Sequence, residues 1–173
     1  YRKIDSISSY HCSISTKTMA ILPILVTRET AWKLEIGQYM CINGRACKIT
    51  EKRLTKGRNY IFAIDIFTGI KREWSVRSHH YFYSQVDVPN VIVKEFLVID
   101  ICDDDMTCMD ENNEMRTDLK MPGSDPVNSC DSDKELCEEI QRLFDCGDEL
   151  YGTVFFAMWM TAIKSFRVDK ILI

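Results

Sequence analysis

Asn43-Gly44 stands between two short runs, Gln38-Tyr39-Met40-Cys41-Ile42 and Arg45-Ala46-Cys47-Lys48-Ile49. That arrangement predicts a tight β-hairpin, because Asn-Gly accepts the two positive φ angles of a type I′ turn. A second hairpin is expected to pair residues 48–54 with 60–67 across Thr55-Lys56-Gly57-Arg58, where Gly57 supplies a permissive backbone. Thr68-Gly69 then turns the chain into residues 71–76. Several short strands joined by tight turns predict a small barrel.

Asp87-Val88-Pro89-Asn90 reads as a boundary. Pro89 has no N–H for a ladder and holds Val88 extended, so the expectation is a stiff linker rather than a continuous strand. Beyond it, residues 91–93 and 96–101 form a strand in which Leu97, Ile99 and Ile101 alternate with Val98 and Asp100. Residues 106–109 and 115–119 continue as a meander with Glu111-Asn112-Asn113 at the turn. One helix is marked over residues 133–144. Ser132-x-x-Glu135 has the form of a capping box, Leu136, Ile140, Leu143 and Phe144 share one face, and Gly147 occupies the C′ position. Residues 150–158 read as a buried strand and residues 161–166 as a short terminal helix.

The net charge of −4 conceals an asymmetry: residues 1–88 carry 14 Lys and Arg against 7 Asp and Glu, and residues 89–173 carry 8 against 19. A basic half joined to an acidic half favours an oriented approach to a polyanion. The eight cysteines include no C-x-x-C pair, and His11, His79 and His80 lack zinc-ligand spacing, so free buried thiols in a reducing compartment are expected. The longest apolar run, residues 19–26, is broken by Pro23 and is too short to span a bilayer. A secretory reading of that run lacks a small-x-small cleavage site, which leaves cytoplasmic residence as the expectation. Met19 is the expected natural start.

Three segments, Ile64-Asp65-Ile66-Phe67-Thr68-Gly69, Asp87-Val88-Pro89-Asn90 and Phe144-Asp145-Cys146-Gly147-Asp148-Glu149, occur in an order and at separations that resemble the eukaryotic translation initiation factor 5A family, relatives of bacterial elongation factor P. The resemblance covers residues 34–164 and implies a mostly β fold: an N-terminal SH3-like barrel followed by a C-terminal OB-fold barrel with one inserted helix. The domains are then an unmatched extension over 1–32, a basic SH3-like domain over 33–88 and an acidic OB-fold domain over 89–173. The family binds the ribosome and directs a lysine at a hairpin tip, modified to spermidine-derived hypusine, toward the acceptor end of the peptidyl tRNA. It helps slow peptide bonds form, notably between prolines, and aids termination. This is catalysis by positioning, and it needs no nucleophile, metal or other cofactor in the factor itself.

The resemblance makes Lys56 the candidate modified lysine, with Lys48, Lys52, Arg53, Gly57 and Arg58 completing the surface for ribosomal RNA and tRNA. Where the family reads T-G-K-H-G-H, this chain reads Leu54-Thr55-Lys56-Gly57-Arg58-Asn59, which removes the glycine-flanked lysine and the histidines that deoxyhypusine synthase recognises. The thirteen residues between Glu51 and Asp65 are about six fewer than the family's interval, shortening the hairpin by roughly 10 Å at about 3.3 Å per residue. An aminobutyl extension would restore only about 6 Å, so the expectation is a factor that docks but does not reach, its activity impaired by loss of the hypusine motif. Residues 77–85 carry an apparent insertion whose Tyr81, Phe82 and Tyr83 could either stack on bases or pack between the domains. A cationic tip likewise serves either phosphate contact or simple solubility. A different class of function, a self-assembling structural protein such as the Woronin-body protein, uses the same two-domain architecture. A cysteine enzyme is disfavoured because no Cys has a base nearby in sequence.

Overall fold

A computed structural model describes residues 25–125 and 129–169. The expected start at Met19, the apolar run up to residue 24, and residues 126–128 of the loop before the helix lie outside the described residues. The order is β1 (Val26–Thr30), a single 3-10 turn (Ala31–Lys33), β2 (Tyr39–Ile42), β3 (Arg45–Arg53), β4 (Arg58–Asp65), β5 (Lys71–Arg77), β6 (Gln85–Pro89), β7 (Ile92–Cys102), β8 (Asp105–Met109), β9 (Met115–Lys120), α1 (Asp131–Asp145), β10 (Glu149–Ala157) and β11 (Met160–Asp169).

In the first half β2-β3-β4-β5 form an antiparallel meander. Asn43 and Gly44 take φ of 51° and 74° at the first turn, the pair of left-handed conformations that their identities predict. The inward faces of these strands, Met40, Ile42, Cys47, Ile49 and Ile61, form one core with Leu34, Tyr81 and Val86. β1 pairs antiparallel with β6, Val26 opposite Pro89 and Thr30 opposite Gln85. Two expectations are corrected here. Residues 26–32 are not outside the first domain, since they supply a strand and the buried Ala31 to its core. Nor is the Asp87-Val88-Pro89-Asn90 segment a stiff linker outside the strands. It is largely β6, tolerated because Pro89 closes a strand in a two-stranded sheet, where a missing N–H interrupts no ladder.

The second half is a five-stranded sheet in the order β11-β10-β7-β8-β9, with β9 curling back toward β11 as in an OB barrel. Its core gathers Phe96, Val98, Met106, Leu119, Leu150, Val154 and Ile163 under Ile140 of α1. The expected terminal helix over residues 161–166 is instead part of β11. It pairs with β10 along its length, with one register shift between Ile163 and Ser165, and burial alternates with period two beyond that shift. The sequence conceals this hairpin because its turn residues, Met158 and Trp159, adopt φ of 51° and 69° without the Gly or Asn that normally announces such a turn. At the start of α1 the capping is shifted from Ser132 and Glu135. Cys130 is the N-cap, and its backbone N–H donates to Asp133 Oδ2 at 2.9 Å.

Two of the segments that carry the resemblance have structural reasons to exist. At the end of α1, Gly147 (φ 83°) donates to Phe144 O at 2.9 Å and Asp148 N to Leu143 O at 3.3 Å, a Schellman closure. In Ile64-Asp65-Ile66-Phe67-Thr68-Gly69, Asp65 Oδ1 accepts from Phe67 N at 3.0 Å and Thr68 N at 3.3 Å, and Gly69 turns at φ 70°. That turn drives Phe67, fully buried, into a third small core with Ala46 and Ala157, against Phe155, Met158 and Met160. This core joins the two halves.

Candidate functional site

The β3–β4 hairpin is short. Its last pair is Arg53 opposite Tyr60, leaving the tip at residues 54–57. The tip is tied down from inside. Asn59, 5% exposed, accepts from Thr55 N at 2.8 Å and from Ser78 Oγ at 3.2 Å. Ser78 Oγ donates to Thr55 O at 2.6 Å and Ser78 N to Gly57 O at 3.2 Å. Arg58 N donates to Thr55 Oγ1 at 2.8 Å. The segment after β5 thus buttresses the short β3–β4 hairpin. Gly57 is not left-handed, and a Cβ there would meet no atom within 4 Å, so the tip conformation does not require glycine, contrary to the expectation for that position.

The expected cations separate into groups. Lys56 and Arg58 are exposed at the tip. Lys56 makes no hydrogen bond or ion pair among the described residues, and Arg58 donates from Nε to Ser75 Oγ at 2.9 Å. Arg53 lies over the Phe62 ring at 5.4 Å and pairs with Glu51 at 3.0 Å. Lys52 does not face outward. Its Nζ donates to Leu34 O at 2.5 Å and Trp32 O at 3.3 Å and sits 5.8 Å from the Tyr81 ring centre, so it fastens the 3-10 turn to the sheet. Lys48, on β3 opposite Tyr39 and Ile64, lines a cleft between the halves with Phe155, Cys130 and Lys164, away from the tip.

Arg77 was missed by sequence reasoning. It is exposed and lies directly across from Arg58 in the β4–β5 ladder, and neither has an acidic partner among the described residues. The signal is a register, which exists only once strands 58–65 and 71–77 are paired. Like charges opposite one another in a sheet are destabilising unless an anion lies near. The aromatic segment also departs from the interdomain alternative: Tyr81, 3% exposed, belongs to the first core, whereas Phe82 is exposed beside Trp32 and Tyr83 is exposed next in sequence.

At the other end of β4 from the tip, Asp65 is fully buried. Its Oδ2 receives Arg45 Nε at 2.8 Å and Arg72 Nε and Nη2 at 3.3 Å. Burial alone would raise its pKa, but the Arg45 guanidinium and the N–H groups of Phe67 and Thr68 outweigh it and hold the carboxyl below its ordinary value. Arg45 Nη1 also meets Met160 Sδ at 3.2 Å, carrying the network across to the second half. Among the described residues no cluster of three or more His, Cys, Asp and Glu is placed to hold a metal ion, and no helix is long and apolar enough to cross a membrane.

Comparison with known proteins gives these features a frame. The family model described as "Eukaryotic elongation factor 5A hypusine, DNA-binding OB fold" matches residues 90–167. A solved translation initiation factor eIF-5a family protein from Naegleria fowleri superposes with a TM-score of 0.71 at 34% identity, covering 83% of this chain and 98% of that one. The eukaryotic translation initiation factor 5A from Methanococcus jannaschii shares the fold, with a TM-score of 0.55 at 20% identity over 82% of this chain and 97% of its own. The eukaryotic translation initiation factor 5A of Dictyostelium discoideum is 31% identical over 76% of this chain and 78% of its own length. That of Trypanosoma brucei is 33% identical over 151 residues, spanning 79% of this chain and 83% of its own. Identity of this extent over more than two thirds of the chain, together with the shared fold, places the chain in the eukaryotic translation initiation factor 5A family.

Proposed function

We propose that this translation factor docks on the ribosome through its basic first half with Lys56 unmodified, and that its action in elongation at slow peptide bonds such as those between prolines, and in termination, is impaired by the loss of the hypusine motif. One observation carries the proposal beyond family membership: Lys56, Arg58 and Arg77 sit together at the end of the first barrel with no carboxylate to neutralise them among the described residues. Cations held without partners are available to phosphates, and contact with ribosomal RNA and tRNA releases counterions from the backbone. The acidic second half would face away, and the compartment is the cytoplasm. Unmodified Lys56 follows from the tip itself. The lysine is exposed, so chemistry could reach it, but its neighbours Thr55 and Gly57 are tied to Ser78 and no histidine flanks it. These residues do not fit the pattern that deoxyhypusine synthase reads. What remains is positioning by a short, rigid, cationic tip.

Co-sedimentation with ribosomes over a salt series tests docking. Replacing Lys56, Arg58 and Arg77 by Ala should weaken association and reduce the salt slope by about one for each phosphate that is no longer neutralised. An unchanged slope rejects the assignment, and concentration-dependent polymers without ribosome binding would favour a self-assembling protein. Intact-peptide mass spectrometry across residues 54–60 of the native protein should show unmodified Lys56. A hypusine increment would overturn that part of the proposal.

A further inference from the structure

Trp32, Phe82 and Tyr83 are 46%, 59% and 79% exposed, an unusual density of large aromatic surface on one end of a small barrel. They are not loose. Ala31 N donates to Ser84 O at 2.9 Å, fastening the 3-10 turn that carries Trp32 to the end of the insertion. The insertion is a compact turn closed by His80 N to Arg77 O at 2.9 Å, Tyr83 N to His80 O at 3.0 Å and Ser84 N to His80 O at 2.9 Å. Tyr81 anchors it in the core and packs edge-on to Phe82 at 5.7 Å. Trp32 and Phe82 lie 6.1 Å apart with planes at 50°, so neither ring covers the face of the other.

The cations adjoin this surface through bonds already described. Ser78, within the same insertion, holds Thr55 and Gly57 on either side of Lys56, and Arg77 begins the insertion opposite Arg58. The surface offers two features side by side, cations without carboxylate partners among the described residues and open aromatic ring faces. A single-stranded nucleic acid answers both, because phosphates meet the cations while unpaired bases, apolar on both faces, cover the rings.

We propose that Trp32, Phe82 and Tyr83 form a preorganised platform on which an unpaired RNA base stacks while Lys56, Arg58 and Arg77 hold the adjoining phosphates. The inference deepens the ribosome-docking reading and rests on it for the source of the RNA. It assigns to the insertion and to Trp32 the nucleic-acid contact that the shortened hairpin no longer extends to make.

The test uses the full chain and a fluorescently labelled single-stranded adenosine decamer, compared with a decamer of the same backbone charge in which the central residues are abasic. Native protein should bind the decamer with bases about tenfold more tightly, the difference typical of one good base–aromatic stack. Tyr83→Ala and Phe82→Ala together, or Trp32→Leu, should bring the two affinities together, whereas Trp32→Phe should keep them apart. Arg58→Ala should weaken both equally. Tyr83 is exposed enough that its truncation leaves folding intact, which circular dichroism verifies. Equal affinity of native protein for the two decamers, or no detectable binding of either, overturns the platform. Ribosome co-sedimentation of the same variants keeps the two proposals apart: discrimination between decamers without ribosome binding sinks the docking reading and leaves the platform, and ribosome binding without discrimination does the reverse.

Discussion

Replacing Asp65 by Asn removes one charge and almost no volume, so it isolates what the buried carboxylate does. In the native chain Oδ1 accepts the N–H groups of Phe67 and Thr68, and Oδ2 accepts Arg45 and Arg72. An Asn side chain keeps the first acceptor but presents an amide donor to two guanidinium donors. The arginine side chains are 16% and 24% exposed, so each retains some water, which places the cost at the lower end of the ~3–5 kcal/mol for breaking a buried pair. With an expectation of about 3 kcal/mol and a urea slope of about 2 kcal/mol per molar, the unfolding midpoint should fall by about 1.5 M. The pH dependence gives a second readout. Because folding lowers the Asp65 pKa, its stabilisation is present above the unfolded carboxylate value of about 3.9 and is lost as pH falls through the lower folded value. The gap between native protein and variant should therefore be constant near neutrality and shrink in acid below about pH 4. A loss under about 0.5 kcal/mol, or a gap that stays constant into acid, would refute the account of Asp65 as the charged hub of the joint.

Lys52→Ala should cost about 1–2 kcal/mol in urea unfolding, since it removes the clamp on Leu34 O and Trp32 O, and should leave the salt slope of ribosome binding unchanged; the opposite pattern would return Lys52 to the tip surface. Ile140→Ala should cost about 2–5 kcal/mol and Leu136→Ala less, because Ile140 is 1% exposed in the second core and Leu136 only partly buried; an unchanged thermal midpoint in both would mean that α1 is not docked there. Burial pushes the thiols of Cys47 and Cys108 up to about 11, so iodoacetamide at pH 8 should label exposed Cys102 and Cys146 in native protein and reach Cys47 and Cys108 only in denaturant, as peptide mass spectrometry would show.

Local chemistry made much of this fold legible in the sequence. Asn43-Gly44, Thr68-Gly69 and Gly147 each need a backbone conformation that few residues accept, and each turns where its identity says it should. The apolar stripe of α1 states its burial directly, but the alternation expected in β7 is overturned: Phe96 and Val98 are buried while Ile99 is 41% exposed, and the register against β8 shifts between Val98 and Asp100. What the sequence concealed depends on partners distant in the chain. The turn at Met158-Trp159 has no local signature, and residues 160–169 extend because β10 offers them a ladder. Pro89 sits in a strand because Val26 lies opposite it. The tip shows the same division. Its residues and its shortness are readable by counting, but the side chains at residues 52, 53 and 56 look alike in a sequence. Only the packed barrel aims Lys52 at the carbonyls of Trp32 and Leu34, sets Arg77 across from Arg58, and leaves Lys56 open at the tip. Pairing and burial between remote segments, rather than residue type, choose which cations are structural and which are left for a partner.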